Sequence, residues 1–408
     1  MERLKKYSSR LNAWSYLLFA GAASMVAALK GFAYAHFLSF DQYAQINYYL
    51  LIVGLGALLV GSGVIVRCHS EMPLLVNDEK KLSEFVLNVK WFGGAFWLVG
   101  LVGLIGYGVL SDAPVLIFLL SLIQVLIFFV FTVDLMVIKS KKKFVEYAKR
   151  LLHRNLLIAL AGLCVAFITV NAMYAILAEV LVGGALCFRS LALWLVKAVV
   201  PNRTFLLECL KFVPVTCVGA FMQYVDRVFA AYYLSPKDFS RFSYLSLIVM
   251  VALSIQQLIN TRVITLLPEI CLDDPRAGFR YVVRVSFLVC LFLSVALLCL
   301  LWLLQSRWFA AEWLDASIGV GAVFLACAIL RAADFYTSYL LVMTQKNKLL
   351  AVQLCMLGLF FILSIFYDLI FKEGGVFAFV SLMCAGFFVQ LLFLIFFSWR
   401  ASFAEKTI

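Results

Sequence analysis

Charge is scarce in this chain. Only 14% of its 408 residues are charged while 65% are hydrophobic, whereas about a quarter of a soluble domain's residues carry charge. That shortage excludes a water-soluble globule, and a mean hydropathy of +1.03 makes the chain a polytopic membrane protein. Enzyme signatures are missing too. There is no GxxxxGK[ST] loop to cradle a nucleotide, no HExxH pair and no GxSxG turn, so nothing points to catalysis. His36, His69 and His153 are scattered, and the eleven cysteines include no CxxC and no Cys/His cluster. Neither a metal nor a cofactor is expected. Cys164, Cys187, Cys217, Cys290, Cys299, Cys327, Cys355 and Cys384 sit in apolar runs and read as small core residues. Large external loops are absent as well. The longest, about Gln305 to Ser317, is too short for a polysaccharide polymerase, and its Trp308, Phe309 and Trp313 mark an interfacial belt.

What is present is a series of apolar runs. A span needs about 20 such residues. Hydropathy places the spans at Leu11 to Phe37, Tyr43 to Val66, Val89 to Val109, Val115 to Ile138, Leu156 to Val170, Tyr174 to Val196, Phe212 to Leu234, Phe242 to Leu266, Val285 to Leu304, Ile318 to Val342, Leu349 to Phe371 and Val376 to Phe397. An earlier start for the fifth is equally compatible with its hydropathy. No convincing cleavage site follows the first run, so it reads as a retained helix. The net charge of +12 reflects loop cations that set orientation, not nucleic-acid binding. With the N-terminus in the cytoplasm, Arg3, Lys5, Lys6, Arg10, Lys139, Lys141, Lys142, Lys143, Lys149, Arg150 and Arg154 fall on that side. Only Lys237, Arg241, Arg307 and Lys372 fall opposite. Both termini are therefore expected in the cytoplasm.

The chain also repeats. Ala35–Val53 laid over Ala231–Val249, an offset of 196, matches Ala35, Leu38, Ser39, Tyr48, Leu51, Ile52 and Val53 with their counterparts. This offset equals six spans, so the expectation is an all-α protein of two parallel six-helix lobes, residues 1–200 and 201–408, around a central cavity. The stretch Val199 to Glu208, with Pro201, Asn202 and Arg203, reads as the linker.

The turn Phe37-Leu38-Ser39-Phe40-Asp41-Gln42-Tyr43-Ala44-Gln45 and its counterpart from Asp226-Arg227 through Tyr233-Leu234-Ser235-Pro236-Lys237-Asp238-Phe239-Ser240 resemble the span-turn-span segments of Wzx-type polysaccharide flippases. These belong to the multidrug/oligosaccharidyl-lipid/polysaccharide exporter superfamily. The resemblance implies a flippase of the bacterial inner membrane that moves an undecaprenyl-pyrophosphate-linked oligosaccharide, as in O-antigen and lipopolysaccharide assembly. It further implies membrane lipids, a polysaccharide polymerase and a chain-length regulator as partners. Lipid II flippases usually have two further spans, which this chain lacks. A cation-coupled multidrug exporter and a non-transporting membrane protein of polysaccharide assembly are the alternatives.

Five cations, Lys30, Arg189, Arg227, Arg262 and Arg331, lie in or at the edge of apolar spans. Each costs roughly 2.5 to 3.5 kcal/mol in hydrocarbon even on insertion scales, so together they imply a polar interior. Thr216, Gly219, Gln223 and Asp226 recur on one face of the seventh span, Gln256 and Asn260 on one face of the eighth, with Ser254, Gln257 and Thr261 beside them, and Arg331, Asp334 and Ser338 stack in the tenth. Lys30, Arg227, Arg262 and Arg331 are the candidates for holding a pyrophosphate, since ammonium and guanidinium supply countercharge and donors. Asp226, Glu179 and Asp334 are the candidates for gating or ion coupling. Arg331 and Asp334 could instead neutralise each other. Lys30 and Asp226, equivalent under the offset, could form a gate between the halves, and Asp134 reads as interfacial.

Overall fold

The computed structural model describes residues 2–110, 115–197, 200–304, 318–343 and 345–403. The loop carrying Trp308, Phe309 and Trp313 lies outside them. Fifteen α-helices account for almost all of the described residues, among which there is no strand. They are α1 Glu2–Phe37, α2 Phe40–Val60, α3 Val64–Leu75, α4 Glu79–Leu110, α5 Val115–Ser140, α6 Phe144–Thr169, α7 Ala172–Lys197, α8 Arg203–Leu210, α9 Val213–Tyr233, α10 Pro236–Asp273, α11 Pro275–Leu304, α12 Ile318–Ala332, α13 Tyr336–Val342, α14 Lys346–Phe366 and α15 Gly375–Ser402. Helices are what hydrocarbon permits, because each backbone donor finds its acceptor within the same segment.

Ten helical stretches are long and apolar enough to cross a membrane, or eleven when α8 and α9, bent by 44° at their junction, count as one span. One of the ten, Asn347–Ser402, runs for 56 residues. It holds two crossings, because a π turn at Tyr367–Phe371 and a 3-10 turn at Lys372–Gly374 separate α14 from α15. Gly375, at φ 54, supplies the left-handed residue where α15 begins. With that stretch divided, the described residues offer twelve candidate crossings.

Three expected spans take a different form. The second ends at Val60, where Gly61-Ser62-Gly63 breaks the helix and Gly63 adopts φ 79. There the Gly63 amide donates to Thr216 Oγ1 at 3.0 Å, so a hydroxyl assigned above to a polar cavity face satisfies a helix break instead. The fifth begins at Phe144, so Lys149, Arg150 and Arg154 are helical residues and not loop residues. Arg154 stacks on Phe128 and Phe131 at 4.4 and 4.6 Å. The tenth is split into α12 and α13.

By its contacts the chain forms two compact units, Met1–Tyr224 and Val225–Ile408. In the first, α1 lies on α6, α2 on α5, α5 on α7 and α6 on α7; in the second, α10 lies on α12, α12 on α15 and α14 on α15. The first unit includes α8 and the start of α9, fixed by Arg67 of α3. This buried guanidinium reaches Glu71, Glu208 at 2.8 Å and the Phe205 carbonyl at 3.0 Å, and lies 4.3 Å from the Phe205 ring centre.

The repeat reappears in the backbone. Helices α1 and α9 end, and α2 and α10 begin, 196 residues apart, across turns built on Ser39 and Ser235. Both serines are extended, at φ −66 and ψ 168 and at φ −61 and ψ 157. Leu38 bonds back to Tyr34 as Leu234 does to Ala230, each at 3.0 Å. Their side chains are buried, as are Leu51 and Leu247 further on. The sequence identities therefore mark positions where the same turn seats the same side chains.

Candidate functional site

Glu179 is the most heavily bonded of the buried acids. It projects from α7 and is 2% exposed. Lys30 of α1 donates to both carboxylate oxygens at 2.9 Å, Tyr34 of α1 to Oε1 at 2.5 Å and Tyr49 of α2 to Oε2 at 3.4 Å. The Lys30 side chain keeps an edge exposed, at 12%. Helix α6 makes room for this group through Gly162, where a Cβ would collide with the Tyr34 hydroxyl and meet the Glu179 carboxylate at 2.8 Å. The tyrosines were missed at the sequence level because an aromatic in an apolar span reads as packing.

A second pair in the same unit went unread. Lys90 of α4, buried, donates to Asp134 of α5 and Ser190 of α7, both at 2.7 Å. Asp134 is therefore the counterion of a buried lysine, beyond the interfacial role expected for it. Eleven residues separate Glu179 and Ser190, about 16 Å and three turns, which puts both on one face of α7. Between them Gln124 of α5 is fully buried against Gly183, and neither its Oε1 nor its Nε2 has a hydrogen-bond partner.

In the second unit Asp226 of α9 receives Arg331 of α12 at 2.9 Å. Both side chains are almost fully buried, and the guanidinium carbon lies 4.7 Å from the Phe387 ring centre. Asp226 Oδ1 is buried and has no hydrogen-bond partner among the described residues. The ion pair of Arg331 is thus with Asp226 and not with Asp334. Lys30 and Asp226, expected to meet each other, each have an ionic partner inside their own unit. Arg227, half-buried, donates to Ser246 of α10 at 2.7 Å. Arg189 is exposed, and the side chain of Arg262 lies outside the described residues.

Asp334 sits where the tenth span unwinds between α12 and α13. Its Oδ1 accepts from the Thr337 amide at 3.0 Å and its Oδ2 from the Thr337 hydroxyl at 2.8 Å, so it caps the first turn of α13 from the position just before Phe335. The break frees carbonyls that hydrocarbon cannot solvate. Ser286 donates to Ala333 O at 2.6 Å, Gln256 to Asp334 O at 2.7 Å, and Ser338 to Asn260 at 2.9 Å. The polar face of the eighth span therefore serves the broken tenth. All eleven cysteines are free thiols, and Cys164, Cys299 and Cys355 are exposed on the outside of helices instead of packed in the core.

No protein-family profile and no curated protein sequence matches the chain. Solved structures do. A lipid II flippase MurJ in an inward closed conformation superposes with a TM-score of 0.66 at 13% identity, covering 93% of this chain and 87% of that one. An inward-facing multidrug resistance MATE family transporter of the MOP superfamily gives 0.62 at 12% identity over 94% and 96%. A MOP superfamily transporter from Pyrococcus furiosus, described as having a binding pocket of reverse polarity, gives 0.60 at 13% over 97% and 96%. The chain has the fold of these transporters: an all-α, multi-pass membrane protein.

Proposed function

We propose that this protein is a Wzx-type flippase that carries an undecaprenyl-pyrophosphate-linked oligosaccharide across the bacterial inner membrane by alternating access, with both termini in the cytoplasm. The observation that carries the reading is the set of cations fixed inside the spans of a transporter fold, above all Lys30, partly exposed beside Glu179, with Arg227 in the second unit; Arg331, closed off against Asp226, is left to the scaffold. A pyrophosphate needs such donors, because an apolar lumen cannot solvate its charge. Arg262 is assigned to the same task. A polysaccharide polymerase and a chain-length regulator would act on the product.

Complementation of a flippase-null strain tests this, with membrane abundance controlled. Wild type should restore surface polysaccharide, Arg227→Ala should fail, and Arg227→Lys should restore part of it, since a point charge does not reproduce the planar fork. Full activity of the alanine variant removes Arg227 from the mechanism.

The likeness to MATE transporters favours a second reading, a cation-coupled multidrug exporter. Such substrates are commonly cationic, and basic residues in the spans oppose them. Efflux of a cationic dye from proteoliposomes, with no flipping of a sugar lipid, would establish that alternative.

A further inference from the structure

We propose that the Lys30–Glu179 pair is an exchange site, in which a phosphate oxygen of the ligand takes Lys30 from Glu179 and Glu179 takes up a proton from water as the cation leaves it. The source of the anion rests on the flippase reading; the chemistry needs only a phosphate or pyrophosphate group. Two hydrogens of the Lys30 ammonium are used on Glu179. The third has no hydrogen-bond partner among the described residues, and the side chain keeps an exposed edge, where the proposal has the anion arrive. A phosphate oxygen arriving there competes with the carboxylate for the same charge.

Glu179 cannot follow the lysine outward, because it is 2% exposed and rooted in α7. A lone carboxylate in a dry site is costly, and gaining a proton removes the charge. The surroundings fit both forms. Tyr34 and Tyr49 place hydroxyls on opposite oxygens of the carboxyl, and a phenol is donor and acceptor alike, so the protonated acid keeps partners on each side. Among the described residues Lys30 is the one ionic partner of Glu179. Helix α1 contributes Lys30 and Tyr34, α2 contributes Tyr49, and α6 contributes Gly162. Helix α5 sets the uncharged Gln124 against α7 at Gly183. Asp134 of α5 and Lys90 of α4 lie at Ser190, three turns along α7, and Arg154 of α6 stacks on Phe128 and Phe131. The one covalent change is a proton transfer: a hydronium ion or buffer acid loses the proton that a Glu179 oxygen gains, and its conjugate base stays in solution.

The test is calorimetry on the full-length protein in nanodiscs, in two buffers of different ionisation enthalpy. Inorganic pyrophosphate is titrated in one arm and a short-chain polyprenyl pyrophosphate in the other. Wild type should take up about one proton per bound anion at neutral pH, counted after subtracting the anion's own change in protonation. Glu179→Gln, which keeps an amide for the tyrosines but no competing charge, should take up none and bind about tenfold more tightly. Lys30→Gln should lose binding. Anion binding by wild type without proton uptake overturns the exchange, as does an unchanged proton count in Glu179→Gln. The wild-type count stands even where the variant does not fold. If neither anion binds, the exchange fails, while flipping of a sugar lipid by the same sample would leave the flippase reading in place. Proton-linked binding of inorganic pyrophosphate without any sugar-lipid flipping supports the exchange and sinks the flippase reading.

Discussion

Glu179 and Asp226 are both carboxylates sunk among spans against a cation, yet their surroundings differ in a way that separates a movable charge from a fixed one. Glu179 holds Lys30 on both oxygens and has hydroxyls from Tyr34 and Tyr49 besides. Asp226 holds Arg331 on one oxygen, and its other oxygen is buried with no hydrogen-bond partner among the described residues. Arg331 is as buried as its partner and lies over Phe387, while Lys30 keeps an exposed edge. A cation with neutral deputies can be given up; one without them holds its element in place. The first unit therefore carries the exchangeable pair and the second a structural one.

The largest effect that follows is on Arg331. Arg331→Ala leaves Asp226 buried without its counterion and should destabilise the protein by about 3–5 kcal/mol, read as a fall in midpoint of thermal unfolding and in membrane abundance. The double variant Asp226→Leu with Arg331→Met should recover most of that loss, because a buried pair replaced by apolar groups of similar volume is often neutral. No recovery in the double variant would mean that Arg331 works through other contacts, and the contrast between the units would break.

Lys30→Met should destabilise less, by about 1–3 kcal/mol, because the tyrosines remain on Glu179 and a proton can replace the lysine. Transport should nevertheless be lost. The comparison of the two thermal midpoints is the sharpest check. A Lys30 variant as unstable as the Arg331 variant would make both pairs structural.

Much of the fold was legible because hydrocarbon imposes a length on every span and because the repeat is written in side chains that seat one turn. Leu38 and Leu234 are buried in equivalent places, so their identity across 196 residues had a packing cause. Several buried ionisable residues were legible, since such groups in apolar runs stand out, but Lys90 at the start of the third span was passed over, and the partners were not legible. Lys30 and Glu179 are 149 residues apart, and Asp226 and Arg331 are 105 apart. Periodicity within a helix reports which residues share a face and says nothing of the helix opposite. The stacking of Arg331, Asp334 and Ser338 failed for a related reason, in that it assumed an unbroken tenth span. Nothing in Arg331-Ala332-Ala333-Asp334-Phe335 breaks a helix in the way proline would. The break depends on Ser286 and Gln256 accepting the burden of the freed carbonyls. Gly63 offered a signal that was passed over in running the second span on to Val66, since glycine is suited to the positive φ found there.

That break yields the next prediction. Gln256→Leu removes the donor to Asp334 O and should destabilise by about 1–3 kcal/mol, the cost of one buried carbonyl left unsatisfied. Thermal unfolding measures it. Gln256→Glu should be no better, because a carboxylate offers that carbonyl no donor unless protonated. A stable, active leucine variant would show that the carbonyl finds another donor and that the eighth span does not support the tenth.

The smallest effect concerns Asp334 and decides whether this acid belongs with the movable charges or with the scaffold. Its carboxylate faces the Thr337 amide and hydroxyl, an arrangement in which the side-chain oxygen, more than the charge, is what the helix needs. Asp334→Ala should therefore destabilise by about 1 kcal/mol through loss of the cap, and Asp334→Asn, which still offers an oxygen to the amide, by only a few tenths. Both midpoints come from the same thermal unfolding series. Transport then separates the roles. If Asp334 couples an ion, Asp334→Asn abolishes transport while leaving the midpoint nearly unchanged. If it is a cap, the asparagine variant transports normally and the alanine variant loses activity only in proportion to its stability.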